Sequence, residues 1–169
     1  MLNENVLNEN AWKMEVIQYI AGFLVKKLKN VINCSYCSEL LESKFNHSEH
    51  DLSLISKKNR GGLLYPSQDL FRLCKITENF IYSLMQTKHI WMANIFSVIA
   101  VKVLHYVIEY EKNLFKSCNH DPEHFYKHVK LIVISYSSVR LKYIAKVENQ
   151  NLKTGQRTKL SKLILFANQ

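Results

Sequence analysis

A chain of 169 residues that is 47% apolar and 22% charged, with only four Gly and two Pro, is long enough to close a core of its own and too apolar to be disordered. Its net charge of +9 points toward polyanionic partners, chiefly nucleic acid. Four cysteines could form two disulfides, but the opening MLNENVLNEN is polar and lacks the basic start of a secretory leader, so a reducing, intracellular compartment is expected.

Residues 1–11, which repeat LNEN, read as a polar, flexible lead-in, and residues 12–169 as one helical domain. From Trp12 onward Val16, Ile17, Tyr19, Ile20, Phe23, Leu24 and Leu28 recur at helical spacing, while Lys26, Lys27 and Lys29 crowd the end, where cations suit the helix dipole. That predicts an amphipathic helix ending near Asn30. The turn from Cys34 to Cys37 follows, then SELLESKF as a short helix capped by Ser38 and LSLISKK as another capped by Asp51. Gly61 and Gly62, in NRGGLLYPSQD, mark a clear break. Pro66 to Asp69 then opens a helix that turns Leu70, Leu73, Cys74, Ile76, Phe80, Ile81 and Leu84 inward, with Cys74 acting as a small buried hydrophobe.

Lys88 to Phe115 reads as a long central helix. Its apolar stretch holds Lys102 and His105 and ends on Glu109 and Glu111, so it fails the uncharged run of about 20 residues that a membrane span requires. Asp121 followed by Pro122 is a helix start, a side-chain acceptor at the cap and then a residue whose missing N–H costs nothing in the first turn. The helix from Pro122 carries Phe125, Val129, Ile132, Val133, Tyr136, Val139, Leu141, Tyr143 and Ile144 and is expected to end before VENQNLKTGQRT. LSKLILFANQ fits a short helix or a strand equally well. The whole reads as mainly α, a single bundle of about six helices with that short helix or strand at its C-terminus.

Zinc takes four soft or borderline donors in a tetrahedron, and Cys34 with Cys37 supplies two thiolates from one turn. The other half has three sources: His47 with His50, Cys118 with His120 in the loop before Pro122, and His124 with His128. The last pair is four apart on a helix, so both rings leave one face. The favoured set is Cys34, Cys37, His124 and His128, with His120 in place of His124 as the variant. A closed site of this kind would staple the end of the first helix to the start of the helix from Pro122. Its role would be structural, because four protein ligands leave no position for water. The plain alternative is two reduced surface cysteines and solvated histidines.

From Phe125 to Gln169 seven Lys and two Arg stand against the single Glu148. Lys142, Lys146, Lys153, Arg157, Lys159 and Lys162 are candidate contacts to a DNA backbone, which give affinity and salt sensitivity without sequence choice. As a merely solvated face they would serve only solubility. Arg140, with apolar neighbours on both sides, is a candidate interior ion-pair residue. Signs of catalysis are weak. Cys118 and His120 lie in no motif that builds an oxyanion hole, NRGGLLYPS has only a Gly pair, and the acids sit mostly on exposed faces or at caps. No small-molecule substrate is expected, and no Lys/Arg cluster is dense enough to serve as an import signal.

Taken in order, YIAGFLVKKL, CSYC with ELL after it, LISKKNRGGLLYPSQDLFRLCKITENF, a His-containing segment leading into LIVISYSSVRLKYIAK, and RTKLSKLILFANQ resemble the C-terminal region of P-element-like transposases. That group includes the THAP-domain transposases of animals, and the resemblance runs from Tyr19 to Gln169. It implies a multidomain parent with an N-terminal zinc-dependent DNA-binding domain, a helical segment, an RNase H-like core whose acidic triad binds magnesium, and a GTP-binding insertion. In that pattern the last catalytic Glu lies upstream of the YIAGF-type segment. The chain is therefore expected to be non-catalytic, a truncated, relic or domesticated fragment without the triad, the insertion or the DNA-binding module. The resemblance also implies a metal set with histidines eight apart, which maps onto His120 and His128 and leaves His124 as an extra. His128 is common to both readings. Nuclear residence follows from the resemblance as well. Two roles compete: a zinc-stapled domain whose basic end rests on DNA, and an interaction module that docks on a transposase core, self-associates, or regulates assembly.

Overall fold

The computed structural model describes residues 4–44, 54–58, 62–87, 92–115 and 121–151, and these residues form six α-helices and no strand. They are α1 (Glu4–Lys29), α2 (Ser35–Glu39), α3 (Leu54–Lys58), α4 (Gln68–Gln86), α5 (Ile95–Tyr110) and α6 (Pro122–Asn151). The mainly helical class is as the apolar periodicity predicts. The chain divides into two compact units, Met1–Lys75 with Asn113–Asn119, and Ile76–Lys112 with His120–Gln169. None of the described helices is long and apolar enough to cross a membrane.

In the first unit the buried seam of α1 is Ile17, Ile20, Ala21, Leu24, Val25 and Leu28, the three-and-four spacing of one helix face. Phe23, expected inward, is 46% exposed, because it lies one residue off that seam. The helix begins at Glu4, inside the segment expected as a lead-in. Residues 4–11 include Glu, Leu and Ala and hold no Gly or Pro. A helix nucleated on a packed face therefore extends through them at one hydrogen bond per residue. α3 packs on α1 with Ile55 fully buried. Gly22 permits this close approach: a Cβ there would stand 2.7 Å from the Leu64 carbonyl oxygen and 3.2 Å from Ile55 Cδ1.

A short antiparallel contact closes the unit. Ser43 N–H donates to Tyr65 O at 2.9 Å and Ser67 N–H to Leu41 O at 2.8 Å, bracketing the facing residues Glu42 and Pro66. Pro66 sits where no ladder hydrogen bond is required of it, which is why proline is tolerated there. Lys29 pairs with Glu42 beside it. Ser67 Oγ then accepts the Leu70 N–H at 3.2 Å and starts α4. Asp69 accepts the Phe115 N–H at 3.0 Å, holding Phe115, at φ 53°, with its side chain buried.

In the second unit α5 spans Ile95–Tyr110, shorter than the Lys88–Phe115 helix expected. It stops where its buried series, Ile95, Phe96, Ile99, Ala100, Val103 and Val107, runs out. α5 packs against α6, and Tyr106 meets Phe80 of α4 edge-on with ring centroids 6.0 Å apart. α6 runs to Asn151, past the expected end before Val147, and buries Val129, Ile132, Val133, Tyr136, Leu141, Ile144 and Ala145. Tyr143, which the helix also carries, is 60% exposed. The expected Asp51 cap and the LSKLILFANQ segment lie outside the described residues.

Candidate metal centre and basic face

α1 ends at Lys29, and Val31 and Ile32 N–H both donate to Leu28 O, turning the chain out of the helix. Cys34 follows in extended conformation, φ −83° and ψ 112°, as the residue that opens α2. α2 therefore starts at Ser35, before the Ser38 cap expected for it. The first turn of α2 brings Cys37 back toward Cys34, with Ser38 N–H donating to Cys34 O at 3.0 Å. Cys37 is buried and Cys34 half-buried, and neither is in a disulfide. The backbone N–H of Cys37 holds the Cys34 thiol below the ordinary thiol range; desolvation opposes this, and the Cys37 side chain and the Tyr36 amide add to it. Amides aimed at a sulfur favour its thiolate, the form that binds metal.

α6 starts as the Asp121–Pro122 pair predicts. Asp121 Oδ1 accepts the His124 N–H at 2.8 Å, and Phe125 N–H donates to Asp121 O at 3.2 Å. The same His124 N–H depresses the Asp121 carboxyl below the usual carboxylate range; desolvation opposes, and the Glu123 amide and the charges of His124 and Lys127 reinforce. The cap thereby fixes His124 in the first turn. His128 follows one turn later and is 7% exposed.

Cys34 and Cys37 supply two thiols from one turn of the first unit and His124 an imidazole from the first turn of α6, and the three are a candidate metal-ligand group. Two thiols and one imidazole form a donor set suited to zinc and unsuited to magnesium or calcium, which take oxygen ligands. Among the described residues this group has three members, so His128 is not one of them. His47, His50, Cys118 and His120 lie outside the described residues.

Of the basic candidates, Lys142 and Lys146 are exposed on α6, and Lys153, Arg157, Lys159 and Lys162 lie outside the described residues. Arg140 is an interior ion-pair residue, as its apolar neighbours suggest. Its Nε donates to both carboxylate oxygens of Glu78, at 2.9 and 3.0 Å, with side chains 21% and 5% exposed. Tyr136, fully buried, donates its hydroxyl to Glu78 Oε2 at 2.9 Å. The sequence reading missed Glu78. The available signal was an acid inside the apolar series Cys74, Ile76, Ile81, Leu84, since a charge on a buried face needs a partner.

These features define a class: a helical domain with a cysteine–histidine metal-ligand cluster and exposed lysines on its last described helix. Over residues 2–146 the chain matches the family described as DNA transposase THAP9, C-terminal domain, and it belongs to that family. The matched span begins before Tyr19 and stops at residue 146, so the landmark RTKLSKLILFANQ lies beyond it. No curated protein and no solved structure matches the chain.

Proposed function

We propose that the chain acts as the non-catalytic C-terminal domain of a P-element-like DNA transposase, held by a structural zinc and resting its basic end on DNA backbone in the nucleus. The grouping of Cys34, Cys37 and His124 within a transposase-family domain carries this reading. The fourth donor is His128, four residues from His124 on α6, or else His120. Bound zinc would supply a fixed tetrahedral crosslink, and with four protein ligands it would activate no water. Lys142 and Lys146, with Lys153, Arg157, Lys159 and Lys162, would contact phosphates, so affinity would fall steeply with salt and depend little on sequence.

Cobalt substitution tests the metal. Tetrahedral cobalt held by two thiolates shows intense visible d–d bands and thiolate charge transfer. Cys37→Ser is expected to abolish these bands, and His128→Ala to shift them if His128 is a ligand. Absence of bound metal in purified protein, together with indifference to chelators, overturns the zinc reading. A titration of labelled duplex at several salt concentrations tests the DNA contact.

A second reading, an interaction module that docks on a transposase core or on another copy, is favoured by α5. That helix carries only Lys102 and Glu109 as charges apart from His105, yet leaves Val101 66% and Ile108 50% exposed. Helices apolar on most sides are ordinarily covered. Under this reading the duplex titration shows no binding.

A further inference from the structure

The last turns of α6 carry an arrangement that backbone contact alone does not explain. Tyr143 is 60% exposed on the helix surface. The Arg140 guanidinium carbon lies 5.6 Å from the centre of its ring, within range of a cation–π contact. That guanidinium is not itself mobile, because Nε is held by both oxygens of the buried Glu78 carboxylate, at 2.9 and 3.0 Å. An aromatic ring is thus backed by an anchored cation and still presents most of its surface to solvent. Lys142 and Lys146, one residue before and three after Tyr143, are both exposed, and four residues apart they share a side of α6.

Lysines alone would suit duplex or single-stranded DNA equally. The ring is selective. In a duplex each base is already stacked on its neighbours and offers no free face, whereas an unpaired base exposes a π-face that a tyrosine can cover while nearby cations hold the backbone. The charge is complementary to a strand, since the Arg140 charge is met by Glu78 and that of Lys142 and Lys146 faces outward.

We infer that Tyr143, backed by Arg140 and flanked by Lys142 and Lys146, is a stacking platform for unpaired nucleotides of a DNA strand. The inference rests on the nucleic-acid reading above and adds a substrate class to it, the single-stranded or unwound segment.

The test uses the full, zinc-loaded chain and fluorescently labelled DNA of about 15 nucleotides, single-stranded and as a blunt duplex, followed by anisotropy across a salt series. Tyr143→Ala is expected to weaken single-strand binding by about 10-fold and to leave duplex binding within about twofold. Tyr143→Phe keeps the ring and is expected to bind as the parent does. The Lys142→Ala, Lys146→Ala double variant is expected to weaken both ligands and to flatten the single-strand salt slope by about 1.4. Circular dichroism of each variant checks that its helix content matches the parent. Equal effects of Tyr143→Ala on both ligands, or none on the single strand, overturn the platform while leaving the DNA-backbone reading intact. Failure of the parent chain to bind either DNA overturns both.

Discussion

Removing the Glu78 carboxylate should be among the most damaging single changes available in the second unit. The side chain is 5% exposed and receives the Tyr136 hydroxyl and the Arg140 Nε, all at 2.9 to 3.0 Å. Breaking a buried pair by deleting one partner costs about 3–5 kcal/mol, since the surviving charge stays desolvated. Arg140 is 21% exposed and can recover part of its hydration, so Glu78→Ala is expected near the low end, about 3 kcal/mol. Tyr136→Phe leaves the ion pair intact and should cost only about 1–2 kcal/mol. Replacing both charges, Glu78→Leu with Arg140→Met, removes the stranded charge and should cost clearly less than the two single changes added together, with a coupling of about 2 kcal/mol. Urea unfolding followed by far-UV circular dichroism measures these variants, with Glu78→Leu and Arg140→Met also made singly to close the cycle. A Glu78→Ala loss below about 1 kcal/mol, or strict additivity in the double variant, would refute the claim that the network is a desolvated unit.

Three further outcomes are expected. Gly22→Ala sets a methyl 2.7 Å from the Leu64 carbonyl oxygen, so α1 and the 62–66 segment must part, at about 1–3 kcal/mol in thermal or urea unfolding. The Asp121 carboxyl, whose folded pKa lies below its ordinary 3.8, adds stability that is present above that value and lost as pH falls through the folded pKa. The acid limb of a pH titration of helix content, below about pH 4, should accordingly differ between the parent and Asp121→Asn, which keeps a cap acceptor but does not titrate. Chelation with a strong zinc ligand should lower the melting temperature of the parent, and Cys34→Ser should start from that lowered value and respond no further.

How much of the fold could be read from sequence depended on whether one helix face decided burial. α1 from Ile17 to Leu28 and α4 from Leu70 to Leu84 each bury an apolar series at three-and-four spacing, and both series stand out in the sequence. The start of α6 was legible for a different reason: Asp121 and Pro122 act through local chemistry, a side-chain acceptor and a missing donor, that no distant contact has to confirm. Helix ends without such signals were misplaced. Glu4 and Asn151 owe their positions to propagation from packed segments, and propagation leaves no mark at the residue where it stops, while α5 opens at Ile95, where its buried series begins. Tyr143 stands among the apolar residues of α6 and lies on its surface all the same. Arg140 beneath its ring supplies an electrostatic reason for the tyrosine to lie on the surface, and pairing across one turn is invisible to a hydrophobic count.

The metal donors show the same division. Cys34 and Cys37 could be named because a tight turn forces two residues three apart to converge whatever surrounds them, and the extended Cys34 opening α2 is that turn. His124 and His128 could be named as a pair because helical spacing puts them on one face, but spacing does not decide which rings reach the sulfurs. Of the two, His124 is held by local chemistry, the cap. Asp121 accepts the His124 backbone N–H at 2.8 Å, so the imidazole is carried on a side-chain-capped first turn. His128, one turn deeper and 7% exposed, is surrounded more by protein than by water. The fourth donor proposed above is His128 or His120. Cobalt spectra of His128→Ala and His120→Ala separate these two routes: the substitution that converts a four-donor to a three-donor spectrum identifies the fourth ligand, and two unchanged spectra would show that neither histidine completes the site.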